Sequence, residues 1–297
     1  MKNRLVKAFN EVYFRDVKGK SKALTKDYKI NDINKKSVEC AQNINALNLL
    51  SDLLKLESTD KINSPLSETA LDILWDLSEA KVIFKKSYST FPEEVKILCG
   101  HLSYLSNESY FVGGCVRDVL ISKEPKDFDF VTSTPYDTLV KYFTNEGYTV
   151  KEKGKQFLVL IISKNGFQFE IANFRKDSTY TDGRRPDSVD IGTIEEDALR
   201  RDLSVNSCYV NTKTFTVKDP TGQGIDDINT KTLRFVGNPK DRIKEDKLRV
   251  FRFYRFISKG FTPDKRSLQA CREHFSEATK TVAPERIRAE IEKIVGL

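Results

Sequence analysis

The chain has 297 residues and is basic, with 50 Lys and Arg against 43 Asp and Glu and a formal charge of +7. A mean hydropathy of −0.47 and 31% charged residues suit a water-exposed chain, and no apolar run approaches the ~20 residues that span a bilayer. The length allows two domains or one large one, and the basicity is compatible with a nucleic-acid partner without requiring one. The start, MKNRLVKAFNEVYF, lacks the apolar core and cleavage site of a secretory signal, and Glu11 and Asp16 interrupt any likeness to a transit peptide. The sequence is therefore read as cytoplasmic, with no membrane partner. Cys40, Cys99, Cys115, Cys208 and Cys271 form no C-x-x-C pair, which argues against a zinc site or a disulfide framework. Most are expected as small buried hydrophobes. With only His101 and His274, a histidine-rich metal site is excluded.

Residues 1–90 read as a helical extension without a catalytic signature. The stretch from Met1 to Lys29 is strongly basic and is a candidate contact for RNA phosphates. Ala46, Leu47, Leu49, Leu50, Leu53 and Leu54 make a stripe at helical spacing. Ser64-Pro65 signals another helix start, with Leu71, Ile73, Leu74, Trp75 and Leu77 as its apolar face. Phe91-Pro92-Glu93-Glu94 begins a helix through Val95, Ile97, Leu98 and Leu102.

The chemistry is expected between Tyr110 and Ser133, YFVGGCVRDVLISKEPKDFDFVTS. Tyr110-Phe111-Val112 reads as a buried strand broken by Gly113-Gly114, where the missing Cβ atoms let the backbone turn and approach a ligand. A helix from Cys115 to Ile121 follows, and its first N–H groups suit an anion. Asp127-Phe128-Asp129-Phe130 starts a second strand, whose alternation points Asp127 and Asp129 the same way. Alone, Gly-Gly is an ordinary turn and Asp-x-Asp an ordinary loop end. Together, with Arg117-Asp118 between them, they supply the parts for holding Mg²⁺ against a nucleoside triphosphate.

These residues carry a resemblance. G-G-x-V-R-D followed by D-x-D is similar to the nucleotidyltransferase motif of class II CCA-adding enzymes and bacterial poly(A) polymerases, in the DNA polymerase β superfamily. The resemblance runs from about Phe91 to Leu297. It implies an α/β (α+β) fold: a mixed sheet of about five strands with helices on one side, a helical neck, and the N-terminal extension. The implied division is 1–90 extension, 91–236 nucleotidyltransferase head and 237–297 neck.

Downstream, a helix is expected over Tyr136 to Asn145, a strand over Gln156 to Ile162, a hairpin turn at Asn165-Gly166, and a strand over Phe167 to Phe174. The family often carries a third carboxylate on a neighbouring strand, and Glu170 falls there as a catalytic or supporting residue. RKDSTYTDGRRP, residues 175–186, is expected as a loop. IEEDALRRDLSVN, residues 194–206, reads as a helix start. It resembles the family's second motif, in which Arg201, Asp202 and Asn206 would handle the nucleotide's sugar and phosphates. Thr214 to Lys218 and Thr232 to Val236 read as strands, separated by a turn at residues 219–224.

Asp241 to Lys259 reads as one buried helix that puts Asp246 and Arg249 on one face. By resemblance this pair reads the base, the carboxylate accepting from an exocyclic amino group and the guanidinium donating to a ring acceptor. One pair can thus select CTP and ATP without a template. Arg252 and Arg255 continue the spacing towards the triphosphate. Pro284-Glu285-Arg286-Ile287 starts a last helix. The family continues into helical body and tail domains that grip tRNA. For this sequence that leaves a fragment, a partner chain, or the N-terminal helices to do so.

The sequence thus points to a template-independent RNA nucleotidyltransferase. Asp127, Asp129 and Glu170 do the catalysis, with Mg²⁺ on Asp127 and Asp129. Gly113, Gly114, Arg117, Asp118, Arg201, Asp202, Asn206, Asp246, Arg249, Arg252 and Arg255 bind nucleotide. CCA addition to tRNA is favoured over poly(A) or partial addition because Gly154-Lys155-Gln156-Phe157 stands where poly(A) polymerases have a G-R-R-F element. The competing class is a non-catalytic RNA-binding protein on the same fold.

Overall fold

The computed structural model describes residues 68–177 and 188–295. The chain divides between Val82 and Ile83 into two compact units. Of the first, only residues 68–82 are described, as part of helix α1 (Glu68–Tyr88). The basic arm, the leucine stripe at 46–54 and the Ser64-Pro65 start lie outside the described residues.

The second unit is built on one mixed seven-stranded sheet, in the order β3-β4-β5-β2-β1-β8-β9. Its strands are β1 (Ser109–Val112), β2 (Asp129–Thr132), β3 (Thr149–Gly154), β4 (Val159–Lys164), β5 (Phe167–Asn173), β8 (Tyr209–Asn211) and β9 (Val217–Lys218). β2 and β5 run parallel and the other neighbours are antiparallel. The sheet is wider than the sequence suggested. β3 escaped because Lys151-Glu152-Lys153 carries charge through a strand that lies at the sheet's edge, where charge blocks pairing with another chain. The strand expected from Gln156 instead begins at Val159, because Lys155–Phe157 forms a 3-10 turn and Leu158 has a positive φ of 54°. The hairpin at Asn165-Gly166 is as expected, with φ of 53° and 81°. β8 was missed and β9 is only the end of the strand expected at Thr214. The Asn211 side chain accepts from the Lys213 and Thr214 N–H groups and makes residues 212–216 a turn.

One face of the sheet carries a run of aromatic rings. Phe111 packs on Phe130 and Phe84 at centroid distances of 4.8 and 5.1 Å, and Phe91 packs on Phe128 at 4.8 Å. Helix α2 (Glu93–Leu105) buries Val95, Leu98 and Leu102, and α4 (Tyr136–Asn145) buries Leu139 and Phe143. Helix α3 (Gly114–Leu120) follows β1 directly. The opposite face is also covered in part. Tyr110, Val112, Val131 and Tyr209 pack with Phe174 and with Ile194 and Ala198 of α5 (Ile194–Leu199). Helices therefore lie on both sides, not one.

Residues 175–186, expected as a loop, begin with β6 (Arg175–Asp177), which pairs with β7 (Val189–Ile191) in a separate ribbon. The rest of that stretch, residues 178–186, lies outside the described residues. α5 is short and capped reciprocally by Thr193 and Glu196, so Arg200-Arg201-Asp202 falls beyond its end and Asn206 falls in a 3-10 turn, Ser204–Asn206. The segment after β9 becomes helix α6 (Gly224–Thr230) rather than turn alone. Gly224 is required there by close approach, since a Cβ would stand 2.5 Å from Cys208 Sγ. β10 (Thr232–Leu233) is shorter than expected and pairs with β11 (Thr262–Pro263) outside the main sheet.

The single helix expected over Asp241 to Lys259 is two: α7 (Pro239–Glu245) and α8 (Leu248–Ser258). Asp246 leaves helical geometry at φ −146°, ψ 107°. Its Oδ1 accepts from the Leu248 N–H at 3.0 Å, the local competition by which short acidic side chains interrupt helices. α9 (Lys265–Thr281) and α10 (Pro284–Val295) complete the unit. Cys99, Cys115, Cys208 and Cys271 are free and buried, as expected of packing residues.

Candidate active site

The sheet register assembles the site. Glu170, Asp129, Val112, Tyr209 and Lys218 are successive register partners across β5, β2, β1, β8 and β9. Partners in register share a face, so Glu170 and Asp129 stand side by side on the face away from the aromatic run. Both are exposed. Asp127 lies two residues before Asp129, outside the β ladder, and is close enough to repel it. The strand alternation expected for Asp127 and Asp129 is thus replaced by a loop-and-strand arrangement.

Gly113 joins β1 to α3 with φ 74° and ψ −130°, a conformation closed to residues with a Cβ. A Cβ there would lie 3.7 Å from Asp129 Oδ2 and 3.9 Å from Arg201 Nη1. The turn, Asp129 and Arg201 therefore border one small space. Protein crowding around Asp129, then Glu170 and Asp127, push its carboxyl up to about 6, against the pull of Arg201. Mutually repelling carboxylates with one guanidinium nearby are an arrangement that a divalent cation relieves. Among the described residues no three His, Cys, Asp or Glu are grouped as a ready-made metal cage.

A second polar layer lies behind. Arg117, 8% exposed, donates from Nε and Nη2 to Asp118 Oδ1 at 2.9 and 2.7 Å and from Nη1 to Asn206 Oδ1 at 2.5 Å. Asp202 accepts from Arg252 Nε at 2.7 Å and from Asn206 Nδ2 at 3.3 Å. Burial raises the Asp202 carboxyl, but Arg252 and Arg249 outweigh it and hold it well below the usual carboxylate range. Arg117, Asp118, Asp202, Asn206 and Arg252 thus form one connected network.

The other nucleotide candidates are placed differently. Asp246 and Arg249 are not paired with each other. Asp246 Oδ2 accepts from Arg286 Nη2 of α10 at 3.0 Å, whereas Arg249 Nη1 binds Glu245 Oε2 at 2.5 Å and the Arg242 carbonyl at 2.9 Å. Arg255 is buried against Glu290 of α10 at 3.1 Å. Burial lowers its pKa.

Sequence reasoning missed Asp197, Tyr209, Arg286 and Glu290. Asp197 was detectable, because D-x-x-R-R sets an acid three and four residues before Arg200 and Arg201, the helical spacing of ion pairs. Tyr209 was not, because nothing local marks a strand tyrosine whose partner lies on another element.

The fold is that of a polymerase-β-like nucleotidyltransferase head. Residues 109–234 match the poly(A) polymerase head domain family. The chain is 36% identical over 190 residues to the CCA-adding enzyme of Limosilactobacillus reuteri, covering 63% of this chain and 45% of the relative. It is 35% identical over 212 residues to that of Leuconostoc citreum, covering 70% and 51%. Among solved structures, it is similar to the Bacillus stearothermophilus CCA-adding enzyme in complex with CTP, with TM-score 0.60, 28% identity, and coverage of 69% of this chain and 48% of that one. The Thermotoga maritima CCA-adding enzyme complexed with tRNA shares the fold at TM-score 0.58 and 21% identity, over 74% and 50%. The chain spans about half the length of the curated relatives it matches.

Proposed function

We propose that this chain is a template-independent RNA nucleotidyltransferase that adds C and A from CTP and ATP to the 3′ end of tRNA. The observation that carries this reading is the Asp129–Glu170 register pair, with Asp127 beside it, facing the Gly113 turn and Arg201. The similarity to CCA-adding enzymes supports the choice of substrate. Asp127 and Asp129 would hold Mg²⁺. When bound, the metal supplies the positive charge that acidifies the RNA 3′-hydroxyl and offsets the triphosphate. The 3′-oxygen forms a bond to the α-phosphorus as the bond to pyrophosphate breaks. Arg201 donates to phosphate oxygens, and the Gly113-Gly114 backbone approaches them closely. The Arg117–Asn206–Asp202–Arg252 network backs the sugar and phosphates.

Base choice falls to Asp246 and Arg249, which must leave Arg286 and Glu245 to meet a base edge. Cytosine and adenine both offer an amino donor beside an acceptor, which uracil and guanine do not offer in the same places. In this reading residues 91–236 are the head, 237–297 the neck and 1–90 an added extension. Among the described residues no helix is long and apolar enough to cross a membrane, and the proposed site of action is the cytoplasm.

The test is equilibrium binding of the four nucleoside triphosphates in Mg²⁺. CTP and ATP are expected to bind at least about tenfold more tightly than UTP and GTP, equivalent to about 1.4 kcal/mol. Equal binding of all four contradicts the assignment of Asp246 and Arg249. RNA binding with no nucleotide binding favours the non-catalytic class.

A further inference from the structure

We propose that Asp197 and Tyr209 are positioning residues that hold Arg201 with one guanidinium nitrogen free to meet the nucleotide's phosphates. The proposal rests on the nucleotide site described above and assigns it two residues that do not touch substrate.

The geometry is specific. The Asp197 side chain is fully buried. Its Oδ2 accepts from Arg201 Nη2 at 2.9 Å and Nε at 3.2 Å, and from the Tyr209 hydroxyl at 2.7 Å. The Tyr209 hydroxyl in turn accepts from Arg201 Nε at 2.9 Å. Nε and Nη2, one edge of the guanidinium, are thereby fixed. Asp197 Oδ1 accepts from Arg200 Nε at 2.9 Å, so both carboxylate oxygens are occupied. Nη1 of Arg201 makes no hydrogen bond among the described residues, and it faces the Gly113 turn beside Asp129.

The sheet explains why Tyr209 serves. It stands in the same transverse row as Glu170 and Asp129, separated from Asp129 only by Val112. Its ring supports the guanidinium from below, with Arg201 Cζ 5.3 Å from the centroid. α5 is anchored on that row through Ile194 and Ala198, so the Asp197 carboxylate is fixed relative to the catalytic strands. A guanidinium held on one edge loses less freedom on meeting phosphate than a loose one. Burial would raise the Asp197 carboxyl, but Arg201, Arg200 and the Tyr209 hydroxyl hold it at about 2. It therefore stays a charged anchor at working pH.

The test is Tyr209→Phe, which removes one oxygen and keeps the ring, alongside Asp197→Asn, Arg201→Lys and the Tyr209→Phe/Arg201→Lys double variant. Binding of CTP and of cytidine in Mg²⁺ is measured for each, together with Tm. Tyr209→Phe is expected to keep a Tm close to wild type, weaken CTP about 10-fold, and leave cytidine unchanged. In the double variant the Tyr209 effect should vanish, because it acts through Arg201. Unchanged CTP binding in Tyr209→Phe overturns the proposal, as do equal losses for CTP and cytidine or fully additive losses in the double variant. If Asp197→Asn does not fold, the tyrosine series decides alone. A wild-type chain that binds CTP no better than cytidine overturns the nucleotide site itself, an outcome distinct from failure of the positioning role.

Discussion

Asp129→Asn is expected to abolish nucleotidyl transfer without weakening the fold. The substitution removes a charged ligand from the carboxylate group that would hold Mg²⁺, and such metal contacts carry several kcal/mol of transition-state stabilisation. At tenfold per 1.36 kcal/mol, the loss in rate is at least about 10³-fold. Stability moves the other way. The Asp129 carboxyl is raised from an ordinary 3.8 to about 6 by protein crowding and by Glu170, so its charged form is disfavoured in the folded chain. Between those two pH values the folded state binds more protons than the unfolded state, and wild-type stability rises as pH falls. Asparagine has no such window. In metal-free buffer the variant is expected to melt at or above the wild-type temperature above pH 6, with the gap closing towards pH 4. A lowered Tm together with retained transfer would mean that Asp129 is a structural residue.

Asp202→Ala has the largest expected effect on stability. The carboxylate is 12% exposed and bridges Arg252 to Asn206, which itself holds Arg117. Removing one partner of a buried pair costs about 3–5 kcal/mol because the other charge is left uncompensated. The lower end applies here, since the Arg252 side chain is 34% exposed and water screens it. A loss of about 3 kcal/mol lowers Tm by roughly 6–12 °C in a chain of this size. Nucleotide kcat/KM is expected to fall roughly 10–100-fold as Arg252 and Asn206 lose their common anchor. The pH sign is opposite to that of Asp129. Asp202 and Asp197 are held below the ordinary 3.8. Their stabilisation is complete above that range and is lost as pH falls, for Asp197 towards about 2. Acid unfolding monitored by circular dichroism should therefore begin at higher pH in Asp202→Ala than in wild type.

The central motif was legible because its signals are local. Gly113 needs its positive φ, Asn165-Gly166 needs two, and the buried runs of β1 and β2 and the alternation of β5 are bounded by short polar breaks. Glu170 was placed by resemblance, and the parallel β2–β5 register gives the reason it belongs beside Asp129. What escaped depends on distant partners. Nothing near Tyr209 indicates that its hydroxyl bridges Asp197 and Arg201. The apolar pattern of Asp241 to Lys259 is continuous, yet the chain breaks at Asp246, whose carboxylate accepts from the Leu248 N–H and pairs with Arg286 forty residues on. Arg255 fits a phosphate-facing spacing by count, but Glu290 on the last helix claims it. Helical spacing orders residues along one segment and is silent about which charges a later helix brings.

The most direct test of the account is to incubate the full chain with tRNA lacking its 3′ end, Mg²⁺ and each labelled nucleoside triphosphate in turn. Products are resolved at single-nucleotide length, with Asp129→Asn as control. The account predicts incorporation of C and then A, none from UTP or GTP, and none in the variant. Incorporation that persists in Asp129→Asn, or a chain that binds CTP and tRNA together and transfers nothing, would contradict it. Long runs of A would keep the catalytic site and move the substrate to that of a poly(A) polymerase.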